Sequence, residues 1–146
     1  SGSWTEQMEA VVARNVEIKR DYVLADERDN GQRFFLNLGH TFGHAVEKCS
    51  GFSLSHGQGV AIGLVMAARA AGMDTSRIEG ALIACGLPVR APYSAAELAN
   101  AALSDKKRRG DQITLVLPEK IGKCRLCTVG VEELPWYFEK ATGGIA

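Results

Sequence analysis

The chain has only three histidines, and all of them, His40, His44 and His56, fall within seventeen residues. Imidazole binds divalent metals and moves protons near neutral pH, so such a cluster points first to metal or proton chemistry. His40 and His44 stand four apart, the spacing that lets two imidazoles converge on one metal from a single helix. Thr41, Phe42 and Gly43 lie between them, so the glutamate base that zinc proteases carry there is missing. His56 stands just before Gly57, where a buried helix is expected to begin. Two histidines and a carboxylate, with one position left open to substrate, form a standard catalytic zinc arrangement. The histidines are plain in this sequence; the carboxylate is less so.

These side chains need a helix to align them. Periodicity predicts one from Arg33 to Lys48, and at 100° per residue Arg33, Asn37, His40 and His44 fall within about 60° of one another. Glu47 extends the stripe. Phe34, Phe35, Leu38, Phe42, Ala45 and Val46 occupy the opposite arc and are expected to pack inward. An ordinary solvated face favours Lys and Glu, whereas this one is Arg, Asn, His and His. Gly39 and Gly43 each cost a helix about 1 kcal/mol relative to Ala, which makes sense where another backbone or a ligand must come close.

Around this helix the sequence predicts a mainly helical domain. Trp4 to about Leu24 is helical, with Met8, Val11, Val12, Val16 and Ile18 partly on one side. Residues 25–32 are polar, and Asn30-Gly31 signals a turn. Residues 50–55 form a loop. Gly57 to Gly72 is apolar nearly all round, the mark of a buried helix. Thr75 or Ser76 can cap a fourth helix that ends before Gly86-Leu87-Pro88. Ser94 opens a fifth with Glu97 as the other half of a capping box, and this helix fades into residues 105–110. Ile113 to Leu117 and Lys123 to Val129 read as a β-hairpin around Gly122. Glu132 to Thr142 is a last helix, with Pro135 tolerable only in its first turn.

Composition narrows the partners. The 146 residues hold 46% hydrophobic and 23% charged residues, ordinary for a globular domain. Seventeen basic residues balance seventeen acidic ones, so no long-range field draws nucleic acid or an anionic membrane. The one basic run, residues 106–109, has no interleaved aromatics. Val60 to Ala68 is about half the length of a membrane span, and no charged-then-apolar leader opens the chain. The chain opens on Ser1-Gly2-Ser3 rather than Met, so its natural start is expected elsewhere. Cys124 and Cys127 have C-x-x-C spacing, but they lie in a predicted strand without a second pair, so reduced thiols are the expectation.

Asn37-Leu-Gly-His-Thr-Phe-Gly-His-Ala-Val-Glu47, followed by His56-Gly57 and Val60-Ala-Ile-Gly63, closely resembles the signature of the 3-dehydroquinate synthases. Asp26-Glu-Arg-Asp-Asn-Gly-Gln-Arg33 resembles the family's acidic-then-Arg stretch. Asp105-Lys106-Lys107 and the hairpin with Leu115-Val-Leu-Pro118 and Ile121-Gly122 resemble its later pattern. The resemblance covers nearly the whole chain and implies the C-terminal domain of that fold, mainly helical with one small hairpin. Residues 1–146 are then expected to form a single metal- and substrate-binding domain without the upstream NAD-binding domain. No Gly-rich dinucleotide fingerprint occurs in the chain.

The resemblance also implies roles. His40 and His56 match zinc ligands (cobalt being an alternative metal), and the family's third ligand is a glutamate upstream of this chain. His44 matches a residue that touches substrate and assists proton transfer, and Asp29 joins it as a catalytic position. Lys19, Arg33, Asn37, Lys106 and Lys107 match contacts to the substrate's anionic groups, with His40, His44 and His56 facing the same substrate. The reaction implied is closure of 3-deoxy-D-arabino-heptulosonate 7-phosphate to 3-dehydroquinate with loss of phosphate, in the shikimate pathway to aromatic amino acids. NAD+, held mainly by the upstream domain, oxidises and later reduces the substrate. A cytoplasmic enzyme, inactive as this piece alone and with homodimerisation left open, is the expectation. Gln58 stands where the family usually has glutamate, and Asp29 where glutamate is common. These departures leave a related sugar-phosphate cyclase as an alternative, and a non-catalytic metal- or anion-binding domain is a third reading.

Overall fold

The computed structural model describes residues 3–27, 31–106 and 110–143, apart from the side chains of 105 and 106. The chain divides into two compact units, Ser1–Leu36 and Asn37–Ala146.

The first unit is built on α1, Trp4–Asp26. Ser3 starts it with a capping box: its hydroxyl accepts from the Glu6 N–H, and the Glu6 carboxylate accepts from the Ser3 N–H at 2.8 Å. No α1 residue is buried. Trp4, Met8, Val11, Val12 and Val16 are all exposed, so the partly one-sided pattern of α1 builds no core within this unit. A 3-10 segment, Gln32–Asn37, follows, and Phe35 on it packs against Tyr22 with ring centroids 6.2 Å apart. Of the expected Asn30-Gly31 turn, Asn30 lies outside the described residues.

The second unit carries α2 (His40–Cys49), α3 (His56–Ala70), α4 (Ser76–Ala84), α5 (Ala95–Lys106), β1 (Gln112–Lys120), β2 (Lys123–Gly130) and, after a short 3-10 turn, α6 (Leu134–Ala141). The strands pair antiparallel, with Leu115 opposite Cys127 and Thr114 opposite Thr128. The chain is thus mainly helical with one hairpin, as its periodicity predicts. Helices α2, α3, α5 and α6 and strand β1 enclose one core of Phe42, Val46, Ile62, Leu98, Leu115, Leu117, Leu134 and Phe138. Full burial of side chains this large stabilises by about 1.5–3 kcal/mol each. α3 is the central element: nine of its fifteen residues are buried, which explains its apolar character all round.

One expectation fails. Arg33 to Lys48 is not a single helix, because the 3-10 segment and α2 are separated by a turn at Leu38-Gly39. Gly39 adopts φ +78°, a left-handed conformation that no helix can continue through. Arg33 and Asn37 therefore do not share a stripe with His40 and His44 by helical counting.

The caps largely follow the local sequence. Ser94 accepts from the Glu97 N–H, and the Glu97 carboxylate accepts from both the N–H and the hydroxyl of Ser94 at 2.8 Å. At α4 Thr75 holds the N-cap position without a side-chain capping bond: its hydroxyl donates to Glu79 at 2.8 Å, and Asp74 accepts from the Ser76 N–H at 3.0 Å. The Ser94 backbone N–H, then its hydroxyl, hold the Glu97 carboxyl below the usual glutamate range. A depressed folded value means stability that is present above the unfolded value and lost as pH falls through the folded one. The advantage of the parent chain over Glu97→Gln should therefore be constant at neutral pH and shrink below about pH 4.3. Paired urea melts across that range check this, and a pH-independent gap would refute it.

Candidate metal site

The α2–α3 crossing builds the site. Both helices carry glycines four apart, Gly39 and Gly43 on one side and Gly59 and Gly63 on the other. A Cβ on Gly63 would run into the Gly39 carbonyl oxygen and lie 2.7 Å from the Gly43 nitrogen. One on Gly43 would lie 2.8 Å from the Gly59 carbonyl oxygen. The two backbones therefore touch, and the close-approach role expected of Gly39 and Gly43 is met by α3.

This contact holds together the two helices that carry the three histidines. His40 is the first residue of α2 and His56 the first of α3. Between them the chain reverses tightly. Gly51 N–H donates to the Lys48 carbonyl at 3.0 Å and Phe52 N–H to the Glu47 carbonyl at 2.9 Å, the paired bonds of a Schellman helix end. Ser55 then caps α3 by accepting from the Gln58 N–H, while Gln58 Oε1 accepts from the Ser55 N–H at 2.9 Å. Gln58, the departure noted above, is spent on this cap, where Glu and Gln serve alike.

The three imidazoles meet as a result. Ring centroids lie 5.6 Å apart for His40 and His44, 5.4 Å for His40 and His56, and 5.8 Å for His44 and His56. Glu47 completes the cluster, and ligand atoms of His44, Glu47 and His56 all lie within 4.8 Å of one another. His40 is half-buried, whereas His44 and His56 are exposed, so the group stands on an open surface. His40 Nδ1 lies 3.3 Å from the Leu38 carbonyl oxygen, and His56 Nδ1 lies 2.8 Å from Glu47 Oε1. A carbonyl only accepts, so the bonded His40 nitrogen carries a proton, and in the neutral ring the lone pair is then on Nε2. A histidine whose Nδ1–H is held by an acceptor while Nε2 is free is the usual form of a metal ligand. The donor set fits a divalent metal of the zinc type.

Asn37 is exposed at the end of the 3-10 segment, and Lys19 and Arg33 are exposed in the first unit. Lys106 ends α5, with its side chain outside the description, and Asp29 and Lys107 lie outside the described residues. All four cysteines are free, and burial pushes the thiols of Cys49 and Cys124 up, away from the thiolate that binds metal. Sequence reasoning did not see the parts of Gly59 and Gly63, although their spacing repeats that of Gly39 and Gly43.

Fold and site together define a helical domain in which three imidazoles and a buried glutamate converge at one helix crossing. The family model described as 3-dehydroquinate synthase C-terminal matches residues 3–108. A 3-dehydroquinate synthase of Streptococcus mutans is 35% identical in a 144-residue alignment that covers 92% of this chain and 41% of that protein. One from Streptococcus sanguinis is 38% identical with the same coverage. Among solved structures, a 2-deoxy-scyllo-inosose synthase complexed with carbaglucose-6-phosphate, NAD+ and Co2+ superposes with a TM-score of 0.71. It is 18% identical, over 96% of this chain and 42% of its own, a likeness of fold. This chain belongs to the 3-dehydroquinate synthase family and corresponds to its C-terminal domain. It spans about two-fifths of the length of those relatives. No helix among the described residues is long and apolar enough to cross a membrane.

Proposed function

We propose that the chain forms the metal- and substrate-binding part of an enzyme converting 3-deoxy-D-arabino-heptulosonate 7-phosphate to 3-dehydroquinate and phosphate in the cytoplasm. The observation that carries this reading is the convergence of three imidazoles at one helix crossing, two of them with Nδ1 held by acceptors. His40 and His56 would hold zinc or cobalt, together with a carboxylate from an upstream segment. The metal supplies Lewis acidity toward an alcohol or carbonyl oxygen. His44, exposed beside the two ligands, is placed to exchange a proton with substrate. Lys19, Arg33, Asn37, Lys106 and Lys107 hold the carboxylate and phosphate, and Arg33 can do so bidentately. Asp29 assists catalysis. NAD+ belongs to the upstream domain, and the hydride chemistry is the cofactor's.

Gln58 and Asp29 are the departures that kept a related sugar-phosphate cyclase open. The capping bond of Gln58 accounts for the first without invoking a different substrate.

Zinc titration by calorimetry tests the reading, with this chain beside a His40→Ala, His56→Ala double variant. One zinc per chain is expected. The double change should weaken it by more than the roughly 10–100-fold typical of losing an outer-shell partner. Unchanged binding in the double variant would refute the metal assignment. Turnover of the heptulosonate phosphate is expected only when an NAD-binding half is joined to the chain, and product analysis on that protein distinguishes 3-dehydroquinate from another carbocycle.

A further inference from the structure

The geometry points to Glu47 as the positioning residue of the metal site and to Gly59 as the residue that makes room for it. This inference rests on the metal reading above. Glu47 lies on α2, one turn beyond His44, and is among the few buried polar residues of the described chain at 8% exposure. Carboxylates are rarely buried unless paired. Its partner is His56: Glu47 Oε1 lies 2.8 Å from Nδ1, and the imidazole itself is 62% exposed. The anchor is therefore buried and the group that it anchors faces outward.

That arrangement performs a definite task. A carboxylate oxygen accepts here, so the bond puts an N–H on His56 Nδ1 and turns Nε2, the lone-pair nitrogen of the neutral ring, away from Glu47. Without the anchor, an exposed imidazole on the first residue of a helix turns about its side-chain bonds and exchanges tautomers. A carboxylate behind a ligand histidine removes both freedoms and raises the basicity of the ligand nitrogen. His40 is held by the Leu38 carbonyl oxygen at 3.3 Å, so the two proposed ligands are fixed from behind by different devices.

Gly59 explains how a glutamate fits there. A Cβ on Gly59 would lie 2.6 Å from Glu47 Cγ and 2.8 Å from Oε1. Heavy atoms cannot approach so closely, so any side chain at position 59 displaces the carboxylate from His56. Glu47, Gly59 and His56 form one unit spanning both helices.

The test needs Glu47→Ala, Glu47→Gln, Gly59→Ala and His56→Ala, each checked for folding by circular dichroism. Nitrogen-15 NMR of the metal-free chain reads the His56 tautomer. Parent and Glu47→Gln should carry the proton on Nδ1, because the Gln carbonyl oxygen also accepts. Glu47→Ala and Gly59→Ala should shift it toward Nε2. Zinc affinity by calorimetry should fall about 10–100-fold in Glu47→Ala and Gly59→Ala and be largely restored in Glu47→Gln. If Gly59→Ala does not fold, the two Glu47 variants decide the matter. Equal losses in Glu47→Gln and Glu47→Ala would make Glu47 a direct metal ligand and overturn the positioning role. An unchanged tautomer in Glu47→Ala would overturn it too. If His56→Ala binds zinc as the parent does, the metal reading itself fails, an outcome separate from failure of the Glu47 role alone.

Discussion

Replacing Gly63 by alanine is expected to destabilise the chain by about 3 kcal/mol, the upper part of the range for overpacking a tight interior. For a chain of this size that lowers the melting temperature by roughly 10 °C. The new methyl group meets the Gly39 carbonyl oxygen and the Gly43 nitrogen, both backbone atoms of α2. A side chain could rotate away; a backbone can yield only by moving the helix. Such a shift moves apart the two helices that carry His40 and His56, so zinc affinity should fall along with stability. Gly80→Ala is the matched control. Gly80 lies inside α4 with nothing within 4 Å of a Cβ built on it. There the same substitution should stabilise by about 0.5–1 kcal/mol through helix propensity alone. Thermal melts of the two variants should move in opposite directions. Two shifts of the same sign would mean that the α2–α3 contact is looser than the structure shows.

Phe138→Ala should cost about 4 kcal/mol, in the range found for truncating a buried phenylalanine. Phe138 is fully buried on α6 and meets Phe42 of α2 edge-on, with ring centroids 5.0 Å apart. This pair ties the last helix to the one bearing His40 and His44, and edge-to-face geometry adds about 1 kcal/mol beyond area burial. Removing the ring leaves a cavity among Phe42 and its neighbours that the packed helices cannot close. Urea unfolding followed by far-ultraviolet circular dichroism measures the loss. A change below about 1 kcal/mol would mean that α6 is not integral to the core.

Much of this molecule is legible locally. Ser94 with Glu97 announces the start of α5, and Gly86 the end of α4, because capping bonds join residues three to five apart. Ser55 with Gln58 has the same spacing, and the structure shows it to be a cap. The hairpin follows from two β-rich runs around Gly122. The failures have one origin. Counting 100° per residue through Gly39 assumes a continuous helix, and the conformation of Gly39 answers to α3. Its Cβ position lies 2.8 Å from the Leu64 nitrogen, a neighbour twenty-five residues away in sequence.

The site divides along the same line. Residue type and spacing alone marked three histidines as candidates, two on one helix and the third at the start of a buried one. The structure brings all three imidazoles together, as those spacings suggest. The tertiary structure decided that Glu47 faces His56, that Gln58 turns back to its cap, and that the chain breaks at Gly39 rather than running as one helix from Arg33. Hydrogen bonds within one turn and the periodicity of a helix are properties of a short stretch of chain. Contact between two backbones is a property of both helices at once, set by where each lacks a side chain, and no single stretch contains that information.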